Sequence, residues 1–299
     1  MESEASRAKS LHVLIACHNR RDLTVRAITT FSTAATAAGV DTDFTVFDDG
    51  STDGTAEALA ALELPIHRIS GDGSAFWSRS MAEAEDHVLH TCYDDGYIVW
   101  LNDDVDLDSD FLEVVLEQAK RVPSAVLVGA MRDPETGNVV YSGYRLEGFH
   151  PLSSAIVEPN GTLQTIDIFD GNFVCVPVEM ARALGGIDGK LSHFGADTDY
   201  GMRVREGGFE LLLLPRTIGF CTPNPVRPLG PAKEDWRIFL SVKGGGNYNT
   251  LKRILRKRHP HTWLIYIAMT YSRWWSRRSA HILSRKLTLP VGTPGDECN

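Results

Sequence analysis

The first 121 residues alternate between short apolar segments and longer segments whose apolar residues fall on one helical face. Four segments predict β-strands: LHVLIAC (11–17), DFTVFDD (43–49), PIHRIS (65–70) and YIVWLNDD (97–104). Four others predict helices, at residues 22–39, 52–63, 77–90 and 109–121. Strands that alternate with helices at this spacing are typical of an α/β fold whose mostly parallel sheet is flanked by helices.

The second half of the chain has a less regular pattern. Apolar or alternating segments predict strands at AVLVGAM (125–131), NVVYSGYRL (138–146), TLQTIDIFD (162–170), GNFVCVP (171–177), FELLLLP (209–215) and TIGFC (217–221). A short helix and turn are predicted at 179–191, and a helix ending at two glycines at 197–208. These elements extend the α/β domain.

A change of composition marks the end of this domain. Four prolines fall within residues 221–231 and predict a linker. Beyond the linker, the pattern predicts helices at 233–243 and at about 249–286. We therefore divide the chain into a flexible N-terminus (1–9), a main domain (10–225) and a linker with a basic helical C-terminal extension (226–299).

Composition indicates a soluble globular protein in a reducing compartment. Of the 299 residues, 43% are hydrophobic and 23% are charged, which is ordinary for a domain with a sizeable core. The five cysteines form no CxxC pair, so a disulfide framework is not expected. Because the N-terminal MESEASRAKS also lacks the apolar core of a signal peptide, we expect a cytoplasmic protein.

The charge is distributed unevenly along the chain. The net charge is −9, yet residues 251–286 contain ten Lys or Arg residues and no Asp or Glu. This segment also carries five aromatic residues: Trp263, Tyr266, Tyr271, Trp274 and Trp275. A basic helix with aromatic residues predicts peripheral contact with the inner face of the cell membrane. A packed helix pair or a homodimer contact is the alternative, and an acidic body argues against nucleic-acid binding.

Three predicted strands end in polar clusters. The clusters are Cys17-His18-Asn19-Arg20, Asp48-Asp49-Gly50-Ser51 and Asn102-Asp103-Asp104. Ligands of parallel α/β sheets bind outside the carboxyl ends of the strands, so the clusters are expected to converge. Adjacent carboxylates repel each other unless a cation lies between them, and Mg²⁺ or Mn²⁺ prefers oxygen ligands. Turn formation and helix capping are the simpler interpretation of any single cluster.

The chain lacks the usual phosphate-binding loops. No GxxxxGK[ST] motif is present, and no GxGxxG follows the first strand. A nucleotide diphosphate bound here would therefore depend on a divalent cation for charge neutralisation.

A second acidic pair lies far along the chain. Asp197 and Asp199 occupy the predicted start of the helix at 197–208, which indicates either capping of that helix or a general base. The FDGN segment at 169–172 is a further polar break, which we interpret as a turn.

The order of six segments resembles glycosyltransferase family 2. The segments are VLIACHNR, VFDDGSTDGT, GDGSAFWSRSM, VWLNDDV, DGNFVCVP and GADTDYGMRVREGG, and the resemblance covers roughly residues 10–222. It is closest to the bacterial rhamnosyltransferase-like and galactofuranosyltransferase-like members. The resemblance implies a GT-A fold, with a nucleotide-binding half (10–105) and an acceptor half (106–225), and an inverting transfer from a nucleotide-activated sugar.

The resemblance also implies roles for particular residues. Asp197 matches the catalytic base, with Asp199 beside it, and Asp104 matches the metal ligand. Residues that match the nucleotide- and donor-binding positions are Ala16, His18, Arg20, Asp48, Asp49, Trp77, Arg79, Asn102 and Asp103.

Three positions depart from the family pattern. Asn102 replaces an aspartate of the metal motif, and Ala196 replaces the acid before the base. Cys221 stands where many relatives carry a metal-binding histidine, so it is a candidate metal ligand that would suit a softer metal. The alternative is a Mg²⁺ or Mn²⁺ site formed by Asp104, phosphates and water.

The expected activity is a metal-dependent transfer of a sugar from a TDP- or UDP-sugar to a glycan or lipid-linked acceptor, in cell-surface polysaccharide synthesis. Two alternatives differ in class. A sugar nucleotidyltransferase would carry a glycine-rich loop after its first strand, and IACHNRRD has no glycine. A non-catalytic nucleotide-sugar-binding protein would fit Ala196 and Cys221, but it would not need Asp104 and Asp197.

Overall fold

The computed structural model describes residues 9–93, 95–192, 195–225 and 227–287. Except for Lys9, the predicted flexible N-terminus lies outside the described residues. So do His193 and Phe194, just before the second acidic pair, Val226 at the predicted domain boundary, and residues 288–299.

Four parallel strands form the first part of the sheet. The chain contains, in order, β1 (Leu11–Cys17), α1 (Arg21–Ala38), β2 (Thr42–Asp48), α2 (Thr55–Ala60), β3 (Ile66–Ser70), α3 (Phe76–Thr91) and β4 (Tyr97–Leu101). The strands lie in the order β3-β2-β1-β4, and every pairing among them is parallel. β1 and β4 are buried almost throughout, as their continuous apolar sequences predict for strands covered on both faces.

The second part continues the same sheet. It contains β5 (Asp106–Leu107), α4 (Phe111–Arg121), β6 (Val126–Arg132), β7 (Val139–Tyr141), β8 (Gly143–Leu146), β9 (Ser154–Val157), β10 (Gln164–Thr165), β11 (Ile168–Phe169), β12 (Phe173–Pro177), α5 (Val178–Leu184), α6 (Ala196–Glu206) and β13 (Leu211–Phe220). β12 lies between β4 and β6 and is antiparallel to both, whereas β6 and β13 are parallel. The predicted mostly parallel sheet is confirmed, with one reversed strand near its centre.

Two differences from the predicted strands have physical causes. The segments 209–215 and 217–221 form one strand, β13, whose register shifts between Leu213 and Gly219 accommodate Pro215, which has no N–H to donate. The predicted strand 162–170 divides into two, because β10 pairs with β13 of the main sheet while β11 pairs with β8 in a separate three-stranded sheet.

Two hydrophobic cores cover the two faces of the main sheet. Successive residues of β1 point to opposite faces, so Val13 and Ile15 join the core that contains Phe31 and Phe111. Leu14 joins the other core, in which Trp100 packs edge-on against Tyr200 of α6. That second core ties β4 to α6.

The C-terminal extension contains α7 (Ala232–Leu240), α8 (Tyr248–Arg258) and α9 (Trp263–Leu287). The predicted helix at 249–286 is interrupted around Pro260, as expected because a proline disfavours helical geometry in the residue before it. α8 packs against the segment that precedes α6, where the Thr250 hydroxyl donates to Ser192 Oγ at 2.7 Å. None of the described helices combines the length and apolar character needed to cross a membrane. The domain boundary at 225/226 stays a prediction.

Candidate active site

The loops that follow β1 and β2 interlock. The backbone N–H of Asn19 donates to Ser51 Oγ at 2.9 Å, and that of Thr52 donates to Asn19 Oδ1 at 2.8 Å. The imidazole Nδ1 of His18 lies 2.6 Å from the backbone oxygen of Asp49. These bonds bring the first two predicted clusters together at one edge of the sheet.

Asp49 binds the backbone of the loop that leads into α3. Its two carboxylate oxygens accept N–H groups of Gly73, Ala75 and Phe76 at distances between 2.9 and 3.3 Å. Gly71 makes this approach possible, because a Cβ atom there would lie 2.6 Å from Asp49 Oδ1. The structure thus gives Asp49 a role in shaping the loop, and direct contact with a nucleoside stays a prediction.

Asp48 is almost completely buried and also has protein partners. Arg68 Nη1 lies 3.1 Å from Asp48 Oδ2, and the backbone N–H of Ser51 donates to Oδ1 at 3.0 Å. The arginine compensates the buried charge. A nucleoside contact by Asp48 likewise stays a prediction.

Trp77 connects α3 to the third predicted cluster. Its indole Nε1 donates to Asn102 Oδ1 at 2.8 Å, and its ring lies edge-on to Trp100. Gly171 packs against the same indole so closely that a Cβ atom would lie 2.7 Å from the ring. Trp77 and Asn102 therefore form one wall, which meets the segment before β12.

Two other predicted donor-site residues have weaker connections to this region. Ala16 is half-buried near the end of β1 and lies beside Phe47 of β2. Arg79 is exposed and pairs with Glu83 one turn along α3, at 3.1 Å. Among the described residues, no hydrogen bond joins Arg79 to the acidic clusters.

Arg20 lies between the two aspartates that follow β4. Its Nη1 is 2.8 Å from Asp103 Oδ1 and 2.9 Å from Asp104 Oδ2. Asp103 is buried, and its other oxygen, Oδ2, has no hydrogen-bond partner among the described residues. Burial raises the pKa of Asp103 to about 6, although the charge of Arg20 opposes this shift.

Cys221 lies beside Asp104, as the resemblance implies. Its Sγ is 3.9 Å from Asp104 Oδ1, and the Asn172 amide nitrogen is 3.5 Å from the same sulfur. Burial, and after it the charge of Asp104, raises the pKa of the thiol to about 12. Mg²⁺ and Mn²⁺ prefer oxygen ligands to sulfur, and ligation of a metal by Cys221 stays a prediction.

The residues around Asp104 fit a hard divalent cation. The two carboxylates already hold the positive charge of Arg20 between them, and the buried Asp103 Oδ2 is available to accept. Carboxylate oxygens are the donors that Mg²⁺ and Mn²⁺ prefer. No three His, Cys, Asp or Glu side chains converge on one point in the described part of the chain, so phosphate and water oxygens would complete the coordination.

Asp197 lies at the start of α6, where the helix dipole favours a negative charge. The backbone N–H of Thr198 donates to Asp197 Oδ1 at 2.7 Å, and that of Gly171 also donates to this carboxylate. The side chain is half-buried, and loss of solvation raises its pKa despite these bonds. A raised pKa makes the carboxylate a better proton acceptor, as a general base requires.

Asp170 is a candidate site residue that the sequence analysis missed. The Tyr144 hydroxyl donates to Asp170 Oδ2 at 2.6 Å. Burial, and after it the negative charge of Asp197, raises the pKa of Asp170 to about 7. The sequence signal for Asp170 is the polar FDGN segment at 169–172. It resembled a simple turn because it precedes β12, whereas the predicted clusters follow parallel strands.

Asp199 has contacts that are typical of a structural residue. Its carboxylate pairs with Arg203 at 2.7 Å and with Arg258 of α8 at 2.8 Å. Burial alone would raise its pKa, but the two guanidinium groups hold that pKa below the usual value. The predicted catalytic role of Asp199 stays a prediction, and its contacts instead join α6 to α8.

Comparison with known sequences gives one match. A family model described as "Glycosyl transferase family 2" matches residues 12–177, which is more than half of the chain. This range includes the three strand-end clusters and Asp170, whereas Asp197, Asp199 and Cys221 lie beyond it. No curated protein matches the chain by sequence.

Solved structures show the same fold. GalNAc-T7 with UDP, GalNAc and Mn²⁺ is 13% identical with a TM-score of 0.59, over 84% of this chain and 48% of that one. The mannosyltransferase PcManGT from Pyrobaculum calidifontis, with GDP-Man and Mn²⁺, is 16% identical with a TM-score of 0.53, over 97% and 82%. TarS 1–349 of S. aureus, with UDP-GlcNAc, is 12% identical with a TM-score of 0.52, over 85% and 75%. The chain spans about half of GalNAc-T7, and the likeness confirms the predicted GT-A fold.

Proposed function

Because this chain belongs to glycosyltransferase family 2, we propose that it transfers a sugar from a nucleotide-diphosphate donor to an acceptor hydroxyl, with inversion at the anomeric carbon. The observation that carries the proposal is the position of Asp197. Its carboxylate lies at a helix start, is bonded to the Gly171 N–H, and thereby adjoins the segment that packs on Trp77 and Asn102. The proposed proton acceptor therefore lies next to Trp77 and Asn102, two residues predicted to bind the donor.

The reaction follows from the proton-accepting character of Asp197. Its carboxylate accepts the proton of the acceptor hydroxyl while the hydroxyl oxygen attacks the anomeric carbon. The bond from that carbon to the diphosphate oxygen breaks on the opposite face, and a single displacement of this kind inverts the anomeric centre. General-base assistance of this kind contributes about 10²–10⁴-fold to the rate.

The donor side requires neutralisation of the diphosphate. Asp104, with Asp103 beside it, would hold the cation, and the chemistry that a bound Mg²⁺ or Mn²⁺ supplies is stabilisation of the charge on the departing diphosphate. We propose a TDP- or UDP-sugar as donor, with rhamnose or galactofuranose as candidate sugars on the motif similarity. A thermal-shift screen of these donors with Mn²⁺ identifies the ligand, because specific binding raises the unfolding temperature.

The C-terminal extension suggests where the acceptor is found. Leu264 and Ile265, at the start of α9, are each 58% exposed, and the surrounding segment 251–286 is strongly basic. An exposed apolar pair among basic residues suits the interface of an anionic membrane. We propose that the protein is cytoplasmic and binds the inner membrane face, and that its acceptor is a glycan or a lipid-linked glycan of cell-surface polysaccharide synthesis.

Substitution of the proposed base tests the reaction. Asp197→Asn removes the proton acceptor and keeps the size of the side chain, so we expect kcat to fall by about 10²–10⁴-fold. The donor identified by thermal shift should still raise the unfolding temperature of the variant.

Asp86→Asn, on the exposed surface of α3, is the matched control and should retain full turnover. Near-normal transfer by Asp197→Asn would show that the base is another group. Loss of donor binding in that variant would show that Asp197 is needed to bind the donor, and not only to accept the proton.

A further inference from the structure

Arg20 is the positive charge that neutralises the acidic pair after β4. A single nitrogen, Nη1, contacts Asp103 Oδ1 at 2.8 Å and Asp104 Oδ2 at 2.9 Å. Hydrogen bonds between ionised groups are shorter and stronger than neutral ones, and both distances fall in that range. The guanidinium group therefore bridges the two carboxylates.

The bridge answers an electrostatic requirement of the site. Asp103 is only 5% exposed, and adjacent carboxylates repel each other unless a cation lies between them. No other Lys or Arg side chain pairs with either aspartate among the residues described. Arg20 therefore occupies the position of a counter-ion between the two carboxylates that would hold a divalent cation.

Arg20 is also able to leave. Its side chain is 47% exposed, whereas Asp103 is fixed inside the protein. The residue follows β1, at the sheet edge where the proposed diphosphate would bind. A planar guanidinium group matches phosphate oxygens as well as it matches carboxylates, so a diphosphate offers it an alternative partner.

We propose that Arg20 is a built-in counter-ion that competes with the divalent cation for Asp103 and Asp104, and that it is released to the diphosphate when the cation binds. This inference rests on the proposed nucleotide-diphosphate site. It follows that the protein alone binds the cation weakly. A diphosphate and the cation then favour each other's binding, because each one removes an obstacle to the other.

Binding of Mn²⁺ alone to the full chain tests the competition. Free Mn²⁺ is measured by electron paramagnetic resonance during titration of the wild-type protein and of Arg20→Gln, with no nucleotide present. Loss of the two charge-assisted bonds leaves both carboxylates uncompensated, so we expect Arg20→Gln to bind Mn²⁺ roughly tenfold more tightly. Arg20→Lys keeps a positive charge and should lie closer to the wild type.

Arg26→Gln is the matched control, because Arg26 pairs at 2.9 Å with Asp106, which is exposed and lies outside the acidic pair. Its affinity for Mn²⁺ should equal that of the wild type. Circular dichroism establishes that each variant is folded, and Arg20→Met replaces the Gln variant if that one is unfolded.

Equal or weaker Mn²⁺ binding by the neutral Arg20 variants would overturn the proposal. So would tightening by Arg20→Lys to the level of Arg20→Gln, or an absence of Mn²⁺ binding in all the proteins. Because no sugar donor is present, these results are separate from the test of sugar transfer. A chain that fails to transfer sugar could still show the competition, and the reverse also holds.

Discussion

Glu85 is an ionisable residue that is completely buried. It lies in α3, and its carboxylate accepts the backbone N–H of Ile187 and the hydroxyl of Tyr200. Burial raises its pKa to about 7, although these bonds and the charge of Arg203 oppose the shift. The residue thus joins α3 to the helix that carries Asp197, at an energetic cost that depends on pH.

The sign of that cost follows from proton linkage. The pKa of Glu85 is higher in the folded protein than its ordinary value of 4.5, so the folded state retains a proton that the unfolded state has lost. The contribution of Glu85 to the free energy of unfolding is therefore fully present below about pH 4.5. It falls as pH rises toward 7 and is constant above that.

Glu85→Gln should remove this dependence. Glutamine keeps the shape of the side chain, and like a protonated carboxyl group it has one atom that accepts a hydrogen bond and one that donates. It carries no charge that burial would penalise. We expect the stability of the variant relative to the wild type to increase between pH 5 and pH 8, by roughly 3 kcal/mol at most. Urea unfolding at both pH values measures the difference. Parallel pH profiles for the two proteins would contradict the assignment.

Individual site residues were predictable by location but only partly by role. The sequence places Asp48, Asp49 and Asp104 at strand ends, and the structure finds them there. What the carboxylates contact depends on distant parts of the chain. Asp49 binds a loop about 25 residues further on, and the Arg258 partner of Asp199 lies 59 residues away. No local pattern of polar and apolar residues encodes such pairings.

At the scale of elements, α8 is the support of α6. Arg258 contacts Asp199 and Glu206. Ile254 packs so closely on Gly195 that a Cβ atom added to this glycine would lie 3.0 Å from the isoleucine side chain. Thr250, Ile254 and Arg258 are spaced four residues apart, so they share one face of α8. This face packs against the beginning and the body of α6. The extension therefore helps to fix the helix on which Asp197 lies.

Arg258→Met should weaken that support. Asp199 is 5% exposed, and without Arg258 it keeps only one of its two guanidinium partners. We expect the free energy of unfolding at pH 7 to fall by roughly 1–3 kcal/mol, measured by urea unfolding. Arg256→Met, an exposed position on the same helix, is the control and should change little. Indistinguishable unfolding curves for the two variants would show that the ion pair is not stabilising.

The elements themselves followed well from apolar periodicity. The long strands and most helices lie where the sequence predicts them, because each buries an apolar face of its own. Two short strands were not predicted. β5 has only two residues, which carry no periodicity, and it forms because β13 offers it an edge. β9 falls in the predicted polar loop and forms by pairing with β8.

At the scale of the whole molecule, charge is separated between an acidic body and a basic C-terminal extension. Wild-type protein should sediment with vesicles of anionic phospholipid, and less so at high salt, because exposed charges are screened. Leu264→Ser combined with Ile265→Ser removes the exposed apolar pair and should reduce sedimentation. Ile156→Ser, an exposed position on β9, is the control.

Substitution is preferable to deletion of the extension in this test, because removing α8 would also disturb α6. Equal recovery of the double variant and the wild type would contradict membrane binding by this surface. A change in oligomeric state without a change in vesicle binding would instead support the homodimer alternative.

The reversed strand has a mechanical consequence. β12 is hydrogen-bonded along its whole length to β4, from Phe173 opposite Leu101 to Pro177 opposite Tyr97. The predicted nucleotide-binding and acceptor halves are therefore parts of one continuous sheet, and no hinge can open between them without breaking that ladder. We expect any closure around a donor to take place in loops and side chains, above all in the Asp49-bound loop before α3 and in Arg20. The framework beneath them stays fixed.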